Sequence, residues 1–284
     1  MQLPSSGALT LAEIQAEFGG VDPISLSEYY RGGLYTTSNN TNVPTSGSIS
    51  LSNFYGAVKE FTFTVSSNQT NANLRTLAIN AGWDQSSPVV CTINGGVYIS
   101  SNSTATPALT VNGSFPLGVQ LTNNGLIIGM GGKGGNSGSS SGLSGGIALS
   151  ASVGVSINNT GTIAGGGGGG RGGADVVVSG TDYFGFPFTD TYGGGGGGGG
   201  RSSAAANSAG GTSGGNFPGS PGGVGTVSSP GSGGAGGGNG AGNGSAGGGW
   251  GATGGGSGGS GGAAISGNSN ITWVAFGTRL GAIT

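Results

Sequence analysis

The chain has 284 residues, of which 73 are glycine, 6% are charged and none is histidine, with a formal net charge of −2. Apolar residues make up 33% and are unevenly spread, which excludes one large hydrophobic core, and near-neutrality excludes a strongly charged disordered tail. The seven Lys and Arg residues are scattered and form no patch for phosphates, so nucleic acid is excluded as a partner.

The start, MQLPSSGALT, has no basic stretch followed by an apolar one, so no secretory signal is expected, and the protein is read as made and released in the cytoplasm of its producing cell. Residues 1–57 carry a repeat: TLAEIQ from Thr10, SLSEYY from Ser25 and SLSNFY from Ser50. A hydroxyl residue leads each, as an N-cap does, and Glu13 and Glu28 complete capping boxes with Thr10 and Ser25. Glycines 19, 32 and 56 then stop three short helices. Leu11, Leu26 and Leu51 take equivalent places, as do Ile14, Tyr29 and Phe54. With Phe18, Tyr30 and Tyr55 they form apolar stripes on helices too short to stand alone, which predicts a docking module. The alternative is a three-helix cap that folds on its own body.

Residues 58–128 read as a small α+β or mostly β domain. FTFTV at 61–65 alternates like a half-buried strand, and NLRTLAINAGW at 73–83 predicts a helix. VVCTI, GVYIS and ALTV come next as short strands between turn residues, with the lone Cys91 expected buried.

Residues 129–284 are dominated by glycine. LTNNGLIIGMGGKGG from Leu121 and INNTGTIAGGGGGGRGG from Ile157 align 36 residues apart, matching Gly125 to Gly161 and Ile127 to Ile163. A short strand therefore leads into a glycine run twice. Recurrence in register argues against flexible linkers and predicts a bundle of polyglycine-II helices, each rising about 3.1 Å per residue and bonding to its neighbours through the backbone. The terminal ISGNSNITWVAFGTRLGAIT predicts one or two closing strands. The expected fold is thus mixed, mostly β and irregular: capped short helices, then a small α+β domain, then a polyglycine-II bundle with variable turns.

Between two glycine runs lies ADVVVSGTDYFGFPFTDTY, a turn in that bundle where bulky side chains meet no crowding neighbour. Tyr183, Phe184, Phe186, Phe188 and Tyr192 offer large contact area at low entropy cost, and Asp182 and Asp190 add polar direction. Phe217 and Trp250 sit in smaller versions of the same setting. These nine residues are the candidate receptor-binding set, against the alternative that the aromatics cover the flank of the bundle or pack on one another.

GTIAGGGGGGRGG, NNGLIIGMGGKGG, the ISLSEYY and ISLSNFYG repeats and the terminal ITWVAFGTRLGAI resemble glycine-rich tail-fibre and adhesin proteins of tailed bacteriophages. The resemblance implies a virion tail component without cofactor or bound metal. In T-even-like tip adhesins an N-terminal domain caps a trimeric fibre, and loops on a glycine-helix sandwich bind outer-membrane proteins or surface sugars of the host. The partners implied are other tail and fibre proteins and a bacterial surface receptor, with the chain either a homotrimer or a monomer capping a trimeric partner. A purely structural virion component and an ice-binding protein are the rival readings.

Catalysis is not expected. Histidine is absent, and GGKGG at 131–135 lacks the Ser or Thr and helix of a P-loop. Asp182 and Asp190 remain as a conceivable ion site or acid pair, although two acids in one turn are usually solvated.

Overall fold

The computed structural model describes residues 3–37 and 40–284. These fall into two units: one from the described residues of Met1–Phe63 with Ala78–Cys91 and Ser114–Gln120, the other from Thr64–Leu77, Thr92–Gly113 and Leu121–Thr284.

In the first unit the three hydroxyl-led repeats each fold as a capped turn. Thr10 caps α1 (Leu11–Phe18), accepting from the Glu13 N–H at 3.2 Å while the Glu13 carboxylate accepts from the Thr10 N–H at 2.7 Å. Ser25 and Ser50 form equivalent boxes with Glu28 and Asn53, but each of these opens only a single 3₁₀ turn, Leu26–Tyr29 and Leu51–Phe54. Only the first repeat continues with helix formers (Gln15, Ala16, Glu17); the other two soon meet Gly32 and Gly56 at positive φ, and stop after one turn.

An apolar residue precedes each cap and another lies at the fourth helical position: Leu9 with Ile14, Ile24 with Tyr29, Ile49 with Phe54. That spacing is the hydrophobic staple, and all six residues join one cluster. At its centre Phe18, Tyr29 and Phe54 meet pairwise, with ring centroids 6.2–6.4 Å apart. Hydroxyls tie the loops to this centre: Tyr29 donates to the Gly19 carbonyl, Tyr30 to that of Gly47 and Tyr55 to that of Gly7.

From residue 61 the chain visits three sheets in rotation. The first pass is β1 (Phe61–Val65), β2 (Gln69–Thr70) and β3 (Ala72–Asn73), leading into α2 (Leu74–Asn80). The second is β4 (Val89–Ile93), β5 (Tyr98–Ser100) and β6 (Leu109–Val111), and the third is β7 (Val119–Asn123), β8 (Leu126–Ile128) and β9 (Leu149–Ala151). The fourth begins with β10 (Val155–Asn159) and β11 (Thr162–Ala164). It is then interrupted by about a hundred mostly glycine-rich residues, within which lie β12 (Val176–Thr181) and β13 (Pro187–Tyr192), and resumes at β14 (Ile265–Ser266). A last pass supplies β15 (Ile271–Ala275) and β16 (Thr278–Leu280).

Strands of equal place stack: β1-β4-β7-β10-β15, β2-β5-β8-β11-β16 and β3-β6-β9-β14. The stacking is parallel and keeps like residues in columns, with Ile99, Ile127 and Ile163 in one and Leu109, Leu149 and Ile265 in another, all fully or nearly fully buried. The 36-residue repeat of the sequence is one pass of this stack. Asn123 and Asn159 mark it as well: Asn123 Nδ2 donates to Asn159 Oδ1 at 2.8 Å, and Asn159 Nδ2 donates to the Phe276 carbonyl at 2.7 Å.

The fold class expected from sequence is corrected by this arrangement. The stacked strands pair in parallel, β12 and β13 form an antiparallel hairpin, and among the described residues α-helix is confined to α1 and α2, so the C-terminal part forms no bundle of helices. The physical reason is that strands of two to five residues bury too little by themselves to close a core, β4 and β10 burying only alternate residues. Such strands close a core by stacking on the next pass rather than within one short segment.

The glycine runs are extended segments joined by backbone hydrogen bonds. In 165–173 successive N–H groups point to three different neighbours, repeating every third residue. Gly167, Gly170 and Gly173 donate to Arg201, Gly198 and Gly195; Gly166, Gly169 and Gly172 to Gly146, Leu143 and Ser140; Gly168 and Arg171 to Ala252 and Gly255, all at 2.8–3.1 Å. The carbonyls accept from three more segments: Gly167 from Gly132, Gly166 from Gly262, Gly168 from Gly248. Such close approach leaves no room for a side chain. A Cβ on Gly166 would lie 1.8 Å from the Met130 carbonyl oxygen.

Candidate functional site: an exposed aromatic hairpin

The segment between the runs at 165–173 and 193–200 is an antiparallel hairpin, β12 against β13, with Val176 opposite Tyr192 and Thr181 opposite Pro187. Val, Thr and Phe suit a strand, and the turn chemistry closes it. Gly185 takes φ +85°, and its N–H donates to the Asp182 carbonyl at 3.0 Å, while the Asp182 N–H donates to the Phe186 carbonyl at 2.8 Å. This is a type I turn with a glycine bulge, the usual three-residue hairpin loop. The Asp182 carboxylate completes it, one oxygen accepting from the N–H groups of Phe184 at 2.9 Å and Phe186 at 2.8 Å.

Three aromatic side chains stand at the tip: Tyr183 is 97% exposed, Phe184 80% and Phe186 68%. Tyr183 and Phe184 meet edge to face at 5.5 Å. Phe188 lies lower, its ring over Gly180 on the opposite strand, where an added Cβ would come 3.0 Å from the ring.

The other candidate receptor-binding residues lie elsewhere. Tyr192 and Phe217 stack at 4.7 Å and 13° at the hairpin's base, where the Phe217 N–H donates to the Thr191 carbonyl and its own carbonyl accepts from Gly193. Asp190 is half-buried on β13, opposite Val178. Trp250 is half-buried, with the Arg201 guanidinium 3.5 Å above its ring and its Nε1 donating to the Ser202 carbonyl at 2.9 Å. Arg201 also donates from Nε to Val227, and Arg171 from Nε to Ser139, so the arginines flanking the hairpin hold neighbouring segments. Sequence reasoning misses this role; an arginine ending a glycine run is the only signal for it.

Of the candidate docking residues, Ile14, Phe18, Tyr29 and Phe54 are core. Leu11, Leu26, Tyr30 and Tyr55 are half-buried, and Leu51 is 37% exposed. Among the described residues no three His, Cys, Asp or Glu side chains gather as a metal site.

A family model described as phage tail fibre adhesin Gp38 matches residues 60–284. The chain belongs to this family of adhesins. The adhesin is also similar to a chain in the crystal structure of the gp37-gp38 adhesin tip complex of the bacteriophage S16 long tail fiber. The two share 25% identity and superpose with a TM-score of 0.59, over 99% of this chain and 100% of that one. No curated protein sequence matches the adhesin. It is a component of a phage tail fibre, and its family is defined by adhesion rather than by an enzymatic activity.

Proposed function

We propose that the hairpin tip recognises a receptor on the bacterial host surface, and that the first unit joins the adhesin to another tail fibre protein. The observation that carries the first part is the exposure of Tyr183, Phe184 and Phe186 on a turn fixed by Asp182. Exposed aromatics cost apolar surface in water and supply contact area with few rotatable bonds, a combination suited to recognition. The stacked Tyr192 and Phe217 and the paired Arg201 and Trp250 fit supporting roles, with Phe188 and Asp190 on the hairpin stem.

For the second part the support is the S16 relative, which is solved as a complex of gp37 with gp38. The accessible members of the sequence repeat, Leu11, Leu26, Leu51, Tyr30 and Tyr55, are the residues we assign to that contact. Ile14, Phe18, Tyr29 and Phe54 act beneath them as core.

The test is competition. Purified adhesin should block adsorption of its phage to host cells. The triple variant Tyr183→Ser, Phe184→Ser, Phe186→Ser should block at least about tenfold less well, since each desolvated aromatic contact is worth about 1–2 kcal/mol or more. Undiminished blocking by the triple variant refutes recognition through the tip and favours a purely structural role.

A further inference from the structure

The hairpin has two edges, and they differ. Bonded and non-bonded pairs alternate along an antiparallel ladder. The Asp182–Phe186 pair is bonded, so Gly180–Phe188, Val178–Asp190 and Val176–Tyr192 are bonded too. The backbone groups of Val177, Ser179 and Thr181 therefore point outward from β12, and those of Pro187, Thr189 and Thr191 outward from β13.

The β13 edge is largely closed. Pro187 has no N–H to offer, and the Thr191 carbonyl already accepts from the Phe217 N–H at 3.1 Å. Thr189 alone keeps both groups unobstructed. On β12, by contrast, no other segment among the described residues pairs with the three outward positions. The strand reads VVVSGT, with none of the lysine, proline or bulge that blunts an edge. Val177 on this edge is 61% exposed.

We infer that the open edge of β12 takes an extended polypeptide segment of the receptor as an added strand. The edge presents N–H and C=O groups at a repeat of about 6.8 Å, two residues of strand. Another extended chain carries the complementary N–H and C=O groups at the same repeat, whereas a polysaccharide has no backbone amides to alternate donor and acceptor at that spacing. The inference rests on the hairpin being the recognition element, and it makes that receptor segment polypeptide, seated beside the aromatic tip.

Ser179→Pro removes the central outward N–H and leaves the backbone bonds between β12 and β13 intact, losing besides only the Ser179 Oγ–Thr189 Oγ1 contact at 3.1 Å, which the Thr189 variant loses as well. Thr189→Pro makes the same change on the other edge and serves as control. Ser179→Lys keeps every backbone group but crowds an incoming strand. Binding of purified full-length adhesin to host cells is measured, with cells untreated, proteinase-treated or periodate-treated. Ser179→Pro and Ser179→Lys should each bind roughly tenfold more weakly, the loss of one to two interstrand bonds, and Thr189→Pro within about twofold of the parent. Proteinase treatment of the cells should abolish binding and periodate should not.

Parental binding by Ser179→Pro overturns the inference, as does equal loss in Thr189→Pro, which would indict the hairpin as a whole. Periodate-sensitive, proteinase-resistant binding overturns it in favour of a sugar. A dimer in solution that Ser179→Pro converts to monomer overturns it in favour of a second copy of this chain. If the tip substitutions impair adsorption and Ser179→Pro does not, only the edge is refuted; if the tip substitutions are harmless, the recognition reading itself fails.

Discussion

The Asp182 carboxylate works inside the hairpin, where one oxygen holds the N–H groups of Phe184 and Phe186. Asp182→Ala therefore leaves two amides of the turn without an acceptor. In so exposed a turn the net loss is about 1 kcal/mol, and it falls on local opening of the hairpin rather than on global unfolding. The amides of Phe184 and Phe186 should exchange several-fold faster in NMR, with the global melting temperature unchanged; unaltered exchange would contradict the assigned role. Cys91 makes a second residue-scale prediction. It is buried in β4, and burial pushes its thiol up to about 12. The native protein should not react with a disulfide reagent at pH 8, and rapid reaction of the folded protein would contradict that burial. Asp84 accepts from the Ser86 and Ser87 hydroxyls and N–H groups, and these bonds hold its carboxyl well below its ordinary 3.8. A depressed folded-state value stabilises the protein above the unfolded value, and that contribution is lost as pH falls through the folded one. Parent and Asp84→Asn should thus differ in melting temperature at pH 7 and converge only well below pH 3.8. Convergence already at pH 5 would contradict the hydrogen-bonded turn.

At the scale of elements the glycine runs and the strand stack make separate demands. Gly166→Ala places a methyl group 1.8 Å from the Met130 carbonyl oxygen, in a run whose backbone is bonded to six neighbouring segments, and should cost about 3 kcal/mol or more. Gly249 has no atom within 4 Å of an added Cβ and no positive φ, so Gly249→Ala should lie within about 0.5 kcal/mol of the parent. Thermal denaturation of the pair checks this, and similar behaviour of both would mean that the runs are not close-packed. Asn159→Ala removes the acceptor of the buried Asn123 amide and the donor to the Phe276 carbonyl, and the Asn123 side alone should cost about 1–3 kcal/mol in thermal denaturation. The capping boxes, α2 and the 36-residue repeat were legible in the sequence because their signals are local or recur in register. The parallel stack was not, because its partners are far apart: Asn159 reaches Thr278 across 119 residues, and β14 pairs with β9 across the whole glycine insertion. The 3₁₀ form of the second and third repeats was hidden for a different reason. A capping box marks where a helical turn begins and says nothing about how many turns the helix will have.

Taken whole, the adhesin combines a stapled N-terminal unit with a second unit in which parallel passes and hydrogen-bonded glycine segments carry one exposed hairpin. The sequence pointed to that hairpin through composition alone, aromatics crowded between glycine runs. It did not separate tip from base: Tyr183, Phe184 and Phe186 share a segment with Tyr192, whose ring is stacked on Phe217, and only the pairing register shows the difference. The central claim is that recognition resides in this hairpin while the rest of the second unit supports it. Replacing residues 177–191 with a two-residue Asn-Gly turn tests it most directly, with binding of the purified protein to host cells as readout. The shortened protein should keep a melting temperature within a few degrees of the parent and bind at least about a hundredfold more weakly. Binding at parental strength by the folded, shortened protein would contradict the account.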